Sequence, residues 1–152
     1  AGCEGREGDS VVPELEEGTD AAGRGDLPEA AVAPTVGIWH TDERRAWREA
    51  LRSGRPVLVD FSASWCVPCR LLHASTFEDD AVQARLAADF VPLRIDVTEE
   101  TRQNREQLAR YGVVGLPAVV LLDTAGRELD RIEHYVDADT LLERLRSARP
   151  KL

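Results

Sequence analysis

The sequence contains no methionine, a single lysine (Lys151), three cysteines and eight aromatic residues among its 152 positions. Three cysteines are too few for a scaffold stapled by disulfides. Long apolar runs are also missing. The longest, 112–122, has 11 residues and includes a proline, against the ~20 that a membrane-spanning helix needs. Basic charge is in deficit: 19 Lys and Arg against 28 Asp and Glu give a net −9, which argues against nucleic-acid binding because phosphates require a basic face. With no methionine and Ala1 in first place, we expect a processed, excised or tagged segment. What is present is enough apolar material for one core, 43% of residues, and a length suited to one domain.

The acidic excess is concentrated at one end. Residues 1–34 carry nine acids and two bases, a net −7 that leaves −2 for the rest, together with six of the eleven glycines and no aromatic residue. Such a segment cannot bury enough apolar surface to offset the entropy of ordering it. The expectation is a flexible acidic linker over 1–34 and a folded domain over 35–152.

Beyond Thr35 extended and helical patterns alternate. A short strand is predicted over 36–39. A helix follows over 42–53, with Ala46, Trp47, Ala50 and Leu51 on one face and Gly54 and Pro56 ending it. Residues 57–61 (Val-Leu-Val-Asp-Phe) read as a central strand buried on both faces. Helical stretches are predicted from about Cys66 and over 80–88, a strand over 90–97, and a helix over 98–111. A strand over 118–123 then turns through Asp123-Thr-Ala-Gly126 into an antiparallel partner over 127–134. Asp137 is placed to cap a final helix whose inner face carries Leu141, Leu142 and Leu145. This order implies an α/β fold, a three-layer α/β/α sandwich around a central mixed sheet.

The sharpest chemical signal is Trp65-Cys66-Val67-Pro68-Cys69. Two thiols three residues apart at the start of a helix can close a small disulfide ring with little backbone movement. A helix N-terminus following a strand sets unpaired N–H groups and the positive dipole end beside the first sulfur, which favours thiolate. Pro68 suits an early helical position, where no backbone donor is needed. Cys66 is therefore the expected nucleophile and Cys69 the resolving thiol. The competing reading is half a zinc site, with His73 completing a C-x2-C-x3-H spacing. Structural zinc wants four ligands, and His40, His134 and Cys3 offer no matching pair. No metal and no cofactor are expected.

The run from Val57 to Cys69, with Gly115-Leu-Pro117 ahead of a strand, resembles the thioredoxin family. The nearer likeness is to the C-terminal periplasmic domain of the transmembrane thiol:disulfide interchange reductases (DsbD type). Cys-Val-x-Cys, Thr76-Phe77, Asp-Val-Thr at 96–98 and Val-x-Gly-Leu-Pro at 113–117 carry it, across roughly residues 36–147. The resemblance implies a thioredoxin fold and a cis Pro117 facing the cysteine pair. It also implies a backbone at Leu116 that pairs with the substrate chain, and substrate contacts from Trp65, Val67 and Pro68. The residues alone leave Pro117 readable as a proline that simply opens a strand, and Trp65 as core packing.

Asp60 stands in an apolar strand, where an unpaired carboxylate would be costly. Its match in thioredoxins is a buried acid behind the second cysteine that helps move a proton. Burial raises a carboxyl's pKa, which suits that task; the alternative is a strand-end acid that reaches solvent. Several positions depart from the family pattern. Ser62 and Ser64 stand where thioredoxin has Trp and often Glu, and Ala74 replaces a helix-kinking proline. Pro92 replaces a lysine beside the buried acid, so a partner for Asp60 is expected to be missing. His73 occupies the place of a DsbD-type glutamate, which either makes the site more cationic and more oxidising or leaves an exposed histidine without effect.

Ala1-Gly2-Cys3 resembles the end of a bacterial lipobox, where the cysteine is lipidated. The alternatives are an unmodified cysteine or a linker cut from a longer membrane protein. The expected function is thiol–disulfide exchange in a bacterial envelope, periplasmic or extracytoplasmic, passing reducing equivalents to protein disulfides. The expected partners are disulfide-bearing proteins and an upstream thiol donor such as a membrane redox protein. A monomer is expected, without nucleic acid, touching a membrane only through a lipid at Cys3. Two other readings are a binding or assembly module without turnover, and a disulfide oxidant or isomerase.

Overall fold

A computed structural model describes residues 37–148. The acidic segment 1–34 and Cys3 lie outside the described residues. The first helix, α1 (Glu43–Ser53), starts where Asp42 accepts the Arg45 N–H at 3.2 Å and ends where Gly54, at φ 75°, returns its N–H to Ala50. Ala46, Trp47 and Ala50 are buried as expected, whereas Leu51 is 51% exposed. The correction has a local cause: residues 51–54 are all exposed, so the last turn of α1 stands clear of the sheet.

Strand β1 (Val57–Ser62) is buried at every position. It pairs in parallel with β2 (Val91–Asp96) and antiparallel with β3 (Ala118–Leu122), and β3 pairs antiparallel with β4 (Glu128–Ile132). The order β2-β1-β3-β4 makes a four-stranded mixed sheet among the described residues, with β1 covered on both sides. Its alternation divides the core. Val57, Val59 and Phe61 join Ala46, Trp47, Ala50, Tyr111 and Val113 on one face. Leu58 faces Leu72, Phe77, Val82, Leu86, Leu141 and Leu145 on the other. Each such buried aliphatic or aromatic side chain stabilises the fold by roughly 1.5–3 kcal/mol.

Helix α2 (Val67–Leu71) runs on into a π-helical turn (Leu72–Thr76), closed by Phe77 N–H to the Leu72 carbonyl at 2.8 Å. Helix α3 (Asp80–Asp89) is capped by Asp79, α4 (Arg102–Arg110) by Thr101, and α5 (Ala138–Ser147) by Asp137. Leu141 and Leu145 of α5 are buried, with Leu142 partly so. Tyr111 locks α1 to the end of α4. It accepts the Trp47 indole N–H at 3.0 Å and donates to Glu43 at 2.6 Å; burial, then the Glu43 charge, push its phenol pKa up, so it stays a donor.

Two expected boundaries move. The strand predicted over 36–39 is not formed among the described residues, because Gly37 turns at φ 66°. Isolated bridging takes its place, with His40 bridging to Leu93 through 2.8 Å bonds with Pro92 O and Arg94 N–H. The helix predicted from Thr98 begins at Arg102 instead, because the Thr98 hydroxyl is engaged elsewhere.

Candidate active site

The Cys66–Cys69 pair sits where β1 hands over to α2. Cys66 is the N-cap of α2, extended at φ −97° and ψ 107°, and Cys69 lies in the first turn. The sulfurs form a disulfide across a Cα–Cα distance of 5.3 Å. The Cys69 backbone N–H points at Cys66 Sγ, 3.3 Å away. When the bond is reduced, that donor is aimed at the first sulfur, where it stabilises negative charge. Cys66 is 5% exposed and Cys69 1%, so both are buried and the first cysteine is the less buried of the two. Both belong to the buried cluster on the α1 face of the sheet.

The residues flanking the pair in sequence are open to solvent and apolar. Trp65 is 63% exposed and Val67 is exposed too, while Pro68 is half-buried. Trp65 is therefore surface and not core. Its indole is anchored by donation to the Thr98 carbonyl at 3.2 Å, and the Thr98 hydroxyl accepts Ser64 N–H at 2.8 Å. Thr98 donates in turn to Asp96. This engagement explains why α4 starts late. The Leu116–Pro117 bond is cis; Pro117 is buried and Leu116, half-buried, packs against the cluster that contains both cysteines. Trp65, Val97, Leu108, Val113, Val114 and Leu116 line a cavity of about 220 Å³ beside the pair.

Asp60 does not reach solvent: it is 1% exposed. The partner expected to be missing is present. Arg94, opposite Asp60 in the parallel register of β1 and β2, donates Nε–H to Oδ2 at 2.9 Å. The guanidinium also lies 3.9 Å over the Trp39 ring. Pro92 cannot supply a cation, but the residue two positions on does. His73 is neither detached nor free, since its Nε2 is 2.7 Å from the same Oδ2. Ser62, Ser64, Cys69, Arg70, His73 and Arg94 border a second open cavity of about 270 Å³. Among the described residues no group of three or more His, Cys, Asp or Glu is placed to hold a metal ion.

Residues 44–149 match the family profile described as a thioredoxin-like domain. The chain belongs to the thioredoxin-like family. Its described region is similar to the oxidised C-terminal domain of Neisseria meningitidis DsbD, with a TM-score of 0.64 at 27% identity, covering 73% of this chain and 99% of that one. A thioredoxin from Thermus thermophilus superposes with a TM-score of 0.64 at 28% identity, over 73% of this chain and 86% of that one. Thiol:disulfide interchange protein DsbD 1 of Pseudomonas aeruginosa is 40% identical over 105 residues, which are 68% of this chain and 18% of that protein. The DsbD of Ralstonia nicotianae is 40% identical over 104 residues, 68% of this chain and 17% of that protein. The chain thus spans less than a fifth of the length of these curated relatives. The fold is the thioredoxin fold, and the family together with the Cys66–Cys69 disulfide supports a thiol–disulfide oxidoreductase.

Two residues of this thioredoxin-like domain escaped sequence reading as parts of the site, Arg94 as a partner of Asp60 and Thr98 as the anchor of Trp65, and His73, expected near the site, was not expected on Asp60. A signal for the first existed. Arg94 is the one cation of its predicted strand, as Asp60 is the one acid of its own, and adjacent strands can pair such residues. Thr98 is marked only as the end of the Asp-Val-Thr motif, and neither its hold on Trp65 nor the Nε2 contact of His73 has a local signal, because both depend on contacts across the fold.

Proposed function

We propose that the domain exchanges electrons with protein disulfides as a reductase on the extracytoplasmic side of a bacterial envelope. In this reading Cys66 attacks a partner disulfide and forms a mixed disulfide, and Cys69 displaces the partner. Asp60 assists the proton transfer that accompanies it. Trp65, Val67 and Pro68 form the contact surface, and the Leu116 backbone with Pro117 orients the partner chain. Disulfide-bearing proteins are the substrate class, and a thiol donor, such as a membrane redox protein, restores the dithiol. The observation that carries the reading is the disulfide at the mouth of α2, with the Cys69 N–H on Cys66 Sγ at 3.3 Å. The relatives named as thiol:disulfide interchange proteins support it. A lipid at Cys3 joined through residues 1–34 would tether the domain to a membrane. No helix among the described residues is long and apolar enough to cross one.

The test is dithiothreitol-driven insulin reduction, combined with the potential of the Cys66–Cys69 couple. A reductase accelerates insulin precipitation and has a potential nearer the ~−270 mV of thioredoxin than the ~−120 mV of DsbA. No acceleration with any of several disulfide substrates would point to a binding module. A potential near the upper value would point to an oxidant.

A further inference from the structure

We propose that His73 is the base that takes the proton of Cys69 in the resolving step, with Asp60 and Arg94 as the residues that position it. This rests on the exchange chemistry proposed above and specifies its proton path. Asp60 as a carboxylate only accepts, so the 2.7 Å contact to its Oδ2 places a hydrogen on His73 Nε2 and leaves Nδ1 of the neutral ring as an acceptor. The carboxylate cannot swing away, being buried and held on the same oxygen by Arg94 Nε at 2.9 Å. Arg94 is in turn held over Trp39. A nucleophile, a base and a buried acid that orients the base are thereby assembled.

Cys69 and His73 border one open cavity of about 270 Å³, room for several waters at ~30 Å³ each. The charged groups around His73 are Asp60 of β1, which it contacts, and Arg94 and Asp96 of β2 and Arg70 of α2, which line the same cavity, two of each sign. His73 keeps 27% of its side chain exposed, so a proton it receives can pass to solvent.

The step balances within the thiol pair. Cys69 Sγ–H passes its proton through cavity water to His73 Nδ1. The Cys69 sulfur attacks Cys66 Sγ of the mixed disulfide; the Cys66–Cys69 bond forms, the bond to the partner breaks, and its electron pair leaves with the partner's sulfur as thiolate. The two electrons come from the cysteine pair, which is oxidised as the partner is reduced. In the reverse direction the imidazolium returns the proton to the departing Cys69 sulfur.

Dithiobis(nitrobenzoate) reads the two steps separately in the reduced full chain carrying Cys3→Ser. Attack by Cys66 releases one coloured thiolate, and resolution by Cys69 releases the second. In His73→Gln the first release should stay within about 2-fold of the parent, and the second should slow about 10- to 100-fold at pH 7. The deficit should shrink below about 3-fold near pH 10, where thiols ionise without a base. In His73→Ala, added imidazole should restore the second release, an effect that a purely structural role would not produce. The proposal is overturned if His73→Gln leaves the second release unchanged, or slows both releases equally at both pH values, or if imidazole gives no rescue. A parent that releases neither thiolate would instead overturn the exchange reading itself.

Discussion

Removing the Arg94 guanidinium as Arg94→Leu strips a buried carboxylate of one of its two partners. Asp60 is 1% exposed and Arg94 24%. Breaking a buried pair from one side costs ~3–5 kcal/mol. The surviving bond from His73 and the partial exposure of Arg94 argue for the lower end, even with ~0.5–1 kcal/mol added for the contact over Trp39. The expected loss is about 3 kcal/mol, or a fall in melting temperature of roughly 10 °C for a domain of this size. Asp60→Asn removes the charge that needs a partner and leaves a guanidinium that reaches solvent, so about 1 kcal/mol is expected. The double variant should then lose about 2 kcal/mol rather than the sum, a coupling of ~2 kcal/mol that contacting groups commonly show. Urea denaturation of the four proteins at pH 7 measures the cycle. An Arg94→Leu loss under about 1 kcal/mol, or additive single effects, would refute the pairing as the reason an acid is tolerated in β1.

Three further outcomes follow from other contacts. Arg144 clasps both carboxylate oxygens of Asp130, donating from Nε to Oδ2 at 2.7 Å and from Nη2 to Oδ1 at 2.9 Å, and that hydrogen bonding holds the Asp130 carboxyl below its ordinary range. Because the folded-state value is depressed, the pair stabilises above the ordinary carboxylate pKa of ~3.9 and the benefit fades as pH falls through the depressed value. Arg144→Gln should therefore cost about 1 kcal/mol at pH 7, and progressively less below about pH 4, in urea melts run across that range. Trp65→Ala should lower insulin reduction about 5-fold while leaving the first release from dithiobis(nitrobenzoate) near the parent rate, since only a protein partner needs the exposed indole; equal loss with both substrates would assign Trp65 to the stability of the site. A chain beginning at Thr35 should keep its melting temperature within about 2 °C and its rate within about 2-fold, as an acidic segment without aromatic residues adds no core; a large fall in the melting temperature would show that residues 1–34 pack on the domain.

Local chemistry made much of this fold legible. Asp137 is a short acceptor directly ahead of a periodic apolar run and caps the helix it precedes, and Asp42, expected as the first residue of α1, is its cap. The apolar run of β1, interrupted by Asp60, identifies a strand covered on two faces, and Asp123 with Gly126 supplies the turn between β3 and β4. The cysteine pair could be placed because its strand-to-helix position and its spacing are both local. What stayed hidden depends on distance in sequence. Thr98 and Thr101 are equally good caps by type, and only the contact of Thr98 with Ser64 decides between them. Leu51 satisfies helical periodicity, yet the sheet does not extend beneath the last turn of α1. The guanidinium that replaces the expected lysine comes from two residues along β2, because the parallel register sets Arg94 and not Pro92 against Asp60. The π-helical turn that carries His73 to the same carboxylate has no sequence signature of its own.

The unequal roles of Cys66 and Cys69 are the centre of the account, and trapping tests them directly. In a Cys3→Ser background, Cys69→Ser leaves an attacking sulfur with no resolver, whereas Cys66→Ser leaves only the more deeply buried thiol. Each variant is mixed with a disulfide-bearing protein, and the yield of covalent adduct is measured by mass spectrometry without reductant. Abundant mixed disulfide through Cys66 is expected in Cys69→Ser and little in Cys66→Ser. Equal yields, or preferential trapping through Cys69, would contradict it.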